Sequence, residues 1–152
     1  MFELKIDQGE IYCSTQLSKK SDEVFEFFSD ANNLQILTPS FLKFKILSNL
    51  PDKIKLNDKI DYRISLRYIP IKWRSKITVW EPNKRFVDEQ ILGPYRQWVH
   101  EHLFIDNEHG CLAIDKVKYK IWFGFIVDKL FVKKELERIF SFRANKLSEL
   151  FN

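Results

Sequence analysis

The sequence predicts an α+β domain in which one antiparallel sheet wraps around a long C-terminal helix. Residues 125–151 contain neither glycine nor proline and carry apolar side chains at three- and four-residue steps, the period of an amphipathic helix. Most of the chain before them alternates apolar with polar residues, which is typical of strands that expose one face to water in an antiparallel sheet. The length of 152 residues fits a single domain that spans 1–152.

The predicted terminal helix carries an apolar stripe that needs a partner surface. At 1.5 Å per residue, a helix over 125–151 would be roughly 35 to 40 Å long, enough to cross a small domain. Lys133, Lys134 and Glu137 fall on the opposite side. The simplest arrangement is a curved sheet that grips the stripe. The stripe consists of Leu136, Ile139, Phe140, Leu147, Leu150 and Phe151.

The N-terminal residues predict a strand followed by a helical elbow. Apolar and polar residues alternate from Phe2 to Leu17, and a bulge is predicted near Gly9. Ser18 to Glu23 supplies capping residues and acids that suit a helix start, so a short helix should follow. A second helical turn over residues 33–37 should stop before Pro39, because the residue before a proline disfavours the α region.

From Leu42 to Ile121 the side-chain pattern has a period of two, which predicts successive strands. The clearest strand covers residues 58–68, and its inward set is Ile60, Tyr62, Ile64, Leu66 and Tyr68. The next strand continues this inner face with Trp73, Ser75, Ile77 and Val79. Residues 81–84 then turn the chain back. Three more strands are predicted over Phe86–Leu92, Gln97–Phe104 and Cys111–Ile121.

Composition and charge exclude several classes of protein. The net charge is +4, but basic and acidic residues are interleaved without a run of one sign, so a solvated surface is expected and nucleic acid is not. Cys13 and Cys111 fit no metal spacing and should be reduced thiols. The N-terminus lacks the apolar core of a signal peptide, and the apolar run at 121–127 is too short to span a bilayer. A cytoplasmic location is therefore expected.

Two histidines mark the most chemically interesting part of the predicted sheet. His100 and His102 alternate with Trp98 and Phe104, so all four side chains share one side of a strand, and the aromatic residues mark that side as buried. Aromatic residues make up 15% of the chain, and large rings that line a curved sheet leave concave space between them. The sequence therefore predicts a pocket beside the two imidazoles.

A carboxylate is predicted to approach the histidines from each neighbouring strand. Three lysines at positions 116, 118 and 120 must face water, which turns Asp115 inward. On the preceding strand either the set with Asp88 or the set with Glu89 could be inside, and we favour the first. An inward Asp or His must be hydrogen-bonded, ion-paired or in contact with cavity water. The favoured inward sets are Phe86, Asp88 and Gln90 on one strand and Asp115, Val117, Tyr119 and Ile121 on the other.

A set of motifs spread over nearly the whole chain points to one known superfamily. The motifs are Val24-Phe25, Leu34, Leu37-Thr38-Pro39, the tract from Trp73 to Ile77, the tract from Arg85 to Asp88, Gln90, Gly93-Pro94-Tyr95, Trp98, His100, His102, Phe104, Asp115, Val117, Tyr119, Phe140 and Arg143. Together they resemble a bacterial branch of the SRPBCC or START-like superfamily, which is also called helix-grip or Bet v 1-like and is often labelled polyketide cyclase/dehydrase.

This resemblance implies a seven-stranded antiparallel sheet around the terminal helix, two short helices between strands 1 and 2, and a deep apolar cavity. It does not imply a reaction, because the superfamily includes lipid and hormone carriers, quinone-binding proteins, cyclases and oxygenase components. The chain departs from the branch at Asn57-Asp58, where a glycine is usual. It also departs at Val99 and Leu103, which are apolar on a face that is usually polar. The second departure favours an outer sheet face that meets a partner or a second subunit.

The first hypothesis is a binding protein for a small apolar molecule such as a lipid, a quinone or a polyketide-like compound. A tunnel walled by apolar residues, with a few placed polar groups, is how proteins orient such ligands. The predicted ligand-binding residues are Tyr62, Trp73, Ser75, Asp88, Gln90, Trp98, His100, His102, Asp115, Tyr119, Phe140 and Arg143.

Two further hypotheses concern catalysis and metal binding. His100 or His102 paired with Asp88 or Asp115 could act as an acid–base unit in aldol cyclisation or dehydration, because imidazole titrates near neutral pH. His-x-His with a carboxylate is also similar to two-His-one-carboxylate metal sites. We nevertheless predict no metal and no cofactor.

Each candidate residue also has a purely structural interpretation. The two histidines could be hydrogen-bonded core residues that tie strands together. Trp73, Trp98 and Tyr119 could simply be core residues. Arg143 could either pack its stem on apolar neighbours with its head in water or face Asp115 or an anionic ligand as a fork.

Two loops carry apolar rings at positions that should be exposed. Phe41 lies just after Pro39, and Phe123 lies in the Trp122–Phe125 segment. Exposed apolar patches mark an entrance, a partner or a membrane contact. We expect both rings to border the cavity mouth, and transient membrane contact and a homodimer are the partner alternatives that these residues leave open.

Overall fold

The strands and helices follow the predicted order in a computed structural model that describes residues 1–124 and 128–152. The strands are β1 (Phe2–Asp7), β2 (Glu10–Leu17), β3 (Lys45–Ile46), β4 (Lys59–Leu66), β5 (Ile69–Glu81), β6 (Arg85–Leu92), β7 (Gln97–Asn107) and β8 (Gly110–Lys120). The α-helices among these residues are α1 (Ser21–Ser29) and α2 (Lys133–Phe151). The strands form one antiparallel sheet in the order β1-β2-β8-β7-β6-β5-β4-β3. The predicted α+β class is confirmed, but the sheet has eight strands rather than seven.

The N-terminal stretch is a hairpin, so the bulge predicted near Gly9 is wrong. Gln8 and Gly9 both have positive φ values, 43° and 83°, as in the two-residue turns that join antiparallel strands. β1 and β2 pair with Leu4 opposite Cys13 and Ile6 opposite Ile11. The apolar residues therefore change from even to odd positions because the chain reverses.

The elbow after β2 contains one α-helix and two short 3-10 turns. Helix α1 buries Val24, Phe25 and Phe28. The second helical turn, predicted over residues 33–37, is a 3-10 turn over Ala31–Leu34, and another follows at Ser40–Leu42. These elements lie between β2 and β3 rather than between strands 1 and 2 as predicted, because the first predicted strand is the β1–β2 hairpin.

Two turns explain other differences from the predicted strands. Asn57 has a φ of 69°, the left-handed conformation that a glycine would adopt, and Asn tolerates it better than most residues. This accounts for the departure at Asn57-Asp58. Tyr68 is predicted on the inner face but is 92% exposed, because Arg67 and Tyr68 form the two-residue turn between β4 and β5.

Helix α2 is shorter than predicted and is preceded by one turn of a different helix. Asp128–Val132 is π-helical and the α-helix begins at Lys133. The predicted start at Phe125 lies outside the described residues. The helix buries Leu136, Phe140, Arg143, Ala144 and Leu147.

The apolar stripe on α2 is confirmed except at its end. Leu150 is 43% exposed, so its assignment to the stripe is wrong. Phe151 instead turns toward α1, where its ring packs against Phe27 at a centroid distance of 5.4 Å.

The position of α2 leaves room inside the sheet. The helix packs mainly on β1 and β2, at one side of the curved sheet. The inner face of β4 to β6 is therefore covered by side chains rather than by helix backbone.

Cys13 and Cys111 are free and buried within the sheet. Burial is the main cause that raises the pKa values of their thiols, to about 12 for Cys13 and about 11 for Cys111. Among the described residues, no helix combines the length and the apolar composition needed to cross a lipid bilayer.

Gly110, which begins β8, offers a test of the hairpin geometry. Its φ is +127°, and a Cβ atom there would lie 2.2 Å from the carbonyl oxygen of Leu17. We expect Gly110→Ala to lower the free energy of unfolding by about 3 kcal/mol, because backbone strain and a backbone clash add. Urea denaturation measures this change.

The matched control is Gly124→Ala. Gly124 has a φ of +77°, but a Cβ atom there would meet no atom of the described, non-adjacent residues within 4 Å. Gly124→Ala should therefore lower the free energy of unfolding by only about 1 kcal/mol. Equal losses in the two variants would contradict the clash at Gly110.

Candidate functional site

A cavity of about 160 Å³ lies between the inner face of strands β4 to β7 and the N-terminal half of α2. The elbow that contains α1 and the 3-10 turns forms its third side. Its apolar wall consists of Phe28, Leu34, Leu37, Leu42, Phe44, Ile54, Ile60, Ile64, Leu66, Ile77, Phe86, Leu136, Ile139 and Phe140. Its other lining residues are Thr38, Tyr62, Trp73, Ser75, Asp88, Tyr95, Trp98, His100, His102 and Arg143.

Aromatic rings hold the shape of one wall of the cavity. Tyr62 and Trp73 stack at a centroid distance of 5.7 Å, and Trp73 meets Trp98 edge-on at 5.5 Å. The indole Nε1 of Trp73 donates a hydrogen bond of 3.1 Å to Ser75 Oγ. Rings with few rotamers and a satisfied polar atom make a rigid surface.

A buried ion-pair network forms the polar end of the cavity. Asp115, on β8, accepts from His100 Nε2 at 2.8 Å and from Arg143 Nε at 2.9 Å. His100 lies on β7 and Arg143 on α2, so the network joins the sheet to the helix. All three side chains are buried. The prediction that Asp115 turns inward is confirmed. The Arg143 guanidinium faces Asp115, which is one of the two interpretations given for this residue.

His102 occupies the centre of this network. Its Nε2 lies 2.7 Å from Asp88 Oδ2, and its Nδ1 lies 3.0 Å from Asp115 Oδ1. Its ring stacks on Phe86 at a centroid distance of 4.0 Å and lies 3.7 Å from the ring of His100. When His102 is neutral, Nδ1 can instead accept from Arg143 Nη2, which is 3.2 Å away. Both ring nitrogens therefore have a partner in either protonation state.

The neighbours of the two histidines shift their pKa values in opposite directions. Burial and the adjacent His102 lower the pKa of His100 by more than Asp115 raises it. Burial also acts to lower the pKa of His102, but its bonds to Asp115 and Asp88 outweigh burial and raise that pKa. The environments of the two imidazoles thus favour a neutral His100 and a charged His102.

The two carboxyl groups remain ionised despite their burial. Burial alone would raise the pKa of Asp115, but Arg143 and the two imidazoles hold it well below its usual range. Burial likewise acts on Asp88, where the bond from His102 outweighs it and lowers the pKa. While His102 is protonated, two carboxylates face two cations and the group has no net charge.

The position of one proton on His100 follows from its partner. An ionised carboxylate can only accept, so the Nε2 atom next to Asp115 carries the proton. In the neutral ring Nδ1 is then unprotonated. This atom lies 3.8 Å from Asp88 Oδ2, too far for a hydrogen bond.

Asp88, His100 and His102 also approach the spacing of a metal site. One ligand atom from each lies within 4.8 Å of the others. However, the Nε2 atoms of both histidines are engaged by carboxylates, and the Arg143 guanidinium already lies 3.2 Å from Nδ1 of His102. The donor set therefore fits a closed ion-pair network better than a metal centre.

The structure brings most of the predicted ligand-binding residues to the cavity wall. Tyr62, Trp73, Ser75, Asp88, Trp98, His100, His102, Phe140 and Arg143 line it. The favoured inward set on β6 is confirmed by Phe86 and Asp88. The role of the nine lining residues in ligand binding stays a prediction.

Three predicted residues do not line the cavity. The Gln90 amide bonds with the backbone of Tyr95 in both directions, at 2.8 and 3.1 Å, and so fixes the turn after β6. Asp115 lies behind the histidines. Tyr119 packs beside Trp98 and Tyr95.

Other lining residues are absent from the predicted site. Ile54 lies in the irregular segment before β4, where no periodic pattern marks a buried residue. Leu136 and Ile139 are predicted only as part of the apolar stripe. The stripe contacts both the sheet and the cavity, and hydrophobicity alone does not separate these two roles.

The two loop rings predicted at the cavity mouth are exposed, at 36% for Phe41 and 84% for Phe123. Neither lines the cavity, although Leu42 next to Phe41 does. The ring of Phe41 lies under the guanidinium of Arg138, 4.2 Å from its Cζ. A place at the mouth stays a prediction for both.

Comparisons with known proteins identify the fold but no sequence relative. No protein-family profile and no curated protein sequence matches the chain. A protein from Chromobacterium violaceum superposes with a TM-score of 0.74 at 12% identity, over 94% of this chain and 96% of that one.

Two other solved structures have a stated character. The Zhui aromatase/cyclase from Streptomyces sp. R1128 has a TM-score of 0.71 at 11% identity, over 95% of this chain and 92% of that one. Ginseng major latex-like protein 151 from Panax ginseng has a TM-score of 0.63 at 12% identity, over 91% and 95%. The chain therefore has a helix-grip fold, the fold that the resemblance of its sequence implies.

Proposed function

We propose that this protein binds a small apolar molecule, such as a lipid, a quinone or a polyketide-like compound, in the cavity between sheet and helix. The observation that carries the proposal is an apolar cavity that ends in a few fixed polar groups, the usual construction of a ligand site. Transport, sequestration and presentation of the ligand are all compatible with it.

The size of the cavity limits the ligand. Its volume of about 160 Å³ is close to the roughly 150 Å³ of an engineered apolar cavity that binds benzene and below the roughly 300–1,000 Å³ of drug-sized sites. A single ring with a short substituent fits this space. A longer ligand would have to extend through the mouth of the cavity.

Filling the cavity from the helix side tests the proposal. Ile139 is half-buried on α2 and lines the cavity. We expect Ile139→Trp to abolish saturable binding of the apolar fluorescent dye N-phenyl-1-naphthylamine, because the indole would occupy the space that one ring of the dye needs while its other rings extend through the mouth. Dye titration measures this, and native mass spectrometry of the purified wild type should show an apolar passenger.

The control places the same side chain on the same helix outside the cavity. Leu150→Trp, at an exposed position, should bind the dye like the wild type. Undiminished binding by Ile139→Trp would place the dye elsewhere and count against the proposal.

A second candidate function is acid–base catalysis, such as aldol cyclisation or dehydration, in the same cavity. It is favoured by the unprotonated Nδ1 of His100, which lies 3.8 Å from Asp88 Oδ2 where both residues line the cavity. A neutral imidazole is a suitable general base near neutral pH. The likeness in fold to an aromatase/cyclase adds support.

Intramolecular aldol cyclisation of 2,6-heptanedione tests this candidate. If His100 is the base, His100→Ala should lower the rate by roughly 100-fold or more. Equal rates for the wild type and His100→Ala would exclude His100 from this role.

A further inference from the structure

Several donor groups at the polar end of the cavity are already engaged. Arg143 donates from Nε to Asp115 at 2.9 Å, and its Nη2 lies 3.2 Å from His102 Nδ1. Both nitrogens of His102 face partners within the network. Trp73 donates its one N–H to Ser75. A ligand that enters the cavity therefore finds these donors directed at protein atoms.

Two acceptors at the same end are not engaged. Within residues 1–124 and 128–152, no hydrogen bond involves Asp88 Oδ1 or His100 Nδ1. Both side chains line the cavity and retain some exposure, 19% for Asp88 and 10% for His100. Polar groups left without partners in an apolar site are unfavourable, so a ligand that supplies a donor stabilises them.

The other polar groups do not change this preference. The hydroxyls of Tyr62 and Ser75 lie 3.5 Å apart, and each can donate or accept. They can therefore follow whichever group the ligand presents. In contrast, the ionised Asp88 and the unprotonated Nδ1 of the neutral His100 can only accept a hydrogen bond.

We propose that the cavity selects a small aromatic ligand with a hydroxyl group, a phenol in the simplest case, whose O–H donates to Asp88 or His100. This inference rests on the proposed binding function and adds the chemical class of the ligand. The aromatic wall and the volume of about 160 Å³ fit one substituted ring. The hydroxyl supplies a donor to these two unengaged acceptors.

A carboxylate on the same ring is disfavoured. It would bring a negative charge next to Asp88, which is ionised and faces the cavity. The cation that could receive it, Arg143, is already paired with Asp115 through its Nε atom. The charges of the network are already balanced while His102 is protonated, so a further anion gains no partner.

Toluene, p-cresol and p-toluate test this preference, because they share one ring and one methyl group and differ only in the polar substituent. Calorimetric titration in sealed cells at pH 7 gives the three dissociation constants. We expect p-cresol to bind about tenfold more tightly than toluene, the effect of one hydrogen bond to a charged acceptor. We expect p-toluate to bind at least about tenfold more weakly than toluene.

A matched pair of variants identifies the acceptor. Asp88→Asn should remove most of the preference for p-cresol over toluene. Asp61→Asn makes the same chemical change on the outer face, where Asp61 pairs with Arg74, and should keep the preference.

The outcomes separate this inference from the function on which it rests. Equal binding of toluene and p-cresol, or tightest binding of p-toluate, would overturn the inference and leave an apolar-ligand protein. Binding of none of the three would overturn the proposed function together with the inference.

Discussion

Replacing Arg143 with leucine is expected to lower the free energy of unfolding by about 3–5 kcal/mol, the range typical of a buried charge that loses its partner. Arg143 is the nearest cation to Asp115, with Nε 2.9 Å from the carboxylate, and both side chains are buried. Without it Asp115 would depend on the two histidines alone. Because the pair joins α2 to β8, we also expect the helix to lose part of its attachment to the sheet.

Two further variants separate lost charge pairing from lost packing. Arg138→Leu removes a guanidinium from the same helix at an exposed position where it lies over the ring of Phe41, and it should change the free energy by about 1 kcal/mol or less. Arg143→Leu combined with Asp115→Asn removes both charges and should recover part of the loss. Chemical denaturation measures all three, and a loss below about 1 kcal/mol for Arg143→Leu would show that the pair contributes little.

Local pattern is sufficient for most of the fold. The alternation of apolar residues predicts which face of each strand is buried, and it places His100, His102 and Asp115 inside without reference to any contact. It fails where two conformations share one pattern. The change from even to odd apolar positions between Ile6 and Ile11 fits either a bulge or a hairpin, and only the positive φ values around Gly9 decide for the hairpin.

Pairing within the site can be predicted only as a set of possibilities. Asp115 and Arg143 are 28 residues apart, and their contact depends on how α2 lies across the sheet. The periodicity of apolar residues gives no information about the angle at which α2 crosses the sheet. Gln90 shows the same limit, because its inward position is predicted, whereas its bonds to the Tyr95 backbone depend on the shape of a turn. The sequence thus indicates which groups meet, and the packing of the helix determines which of them pair.

The free energy of unfolding should be greatest near pH 6.5 and should fall on both sides, with complete unfolding in acid. The folded pKa of His102 is raised above the ordinary value, so its contribution is present below about pH 6.5 and is lost as pH rises through the folded pKa. The folded pKa of His100 is lowered. Below about pH 6.5 the unfolded chain therefore binds a proton at this residue that the folded chain does not bind, and the free energy of unfolding falls. Asp88 and Asp115, with lowered pKa values, add the steepest loss as pH falls below about 4.

Variants of the two buried histidines assign each side of this curve to one residue. His102→Gln should remove the decline on the alkaline side, and His100→Gln should remove the decline just below pH 6.5. Urea denaturation at intervals from pH 4 to pH 8 gives the curves. A flat curve for the wild type would contradict the opposite pKa shifts of these two rings, whose centroids lie 3.7 Å apart.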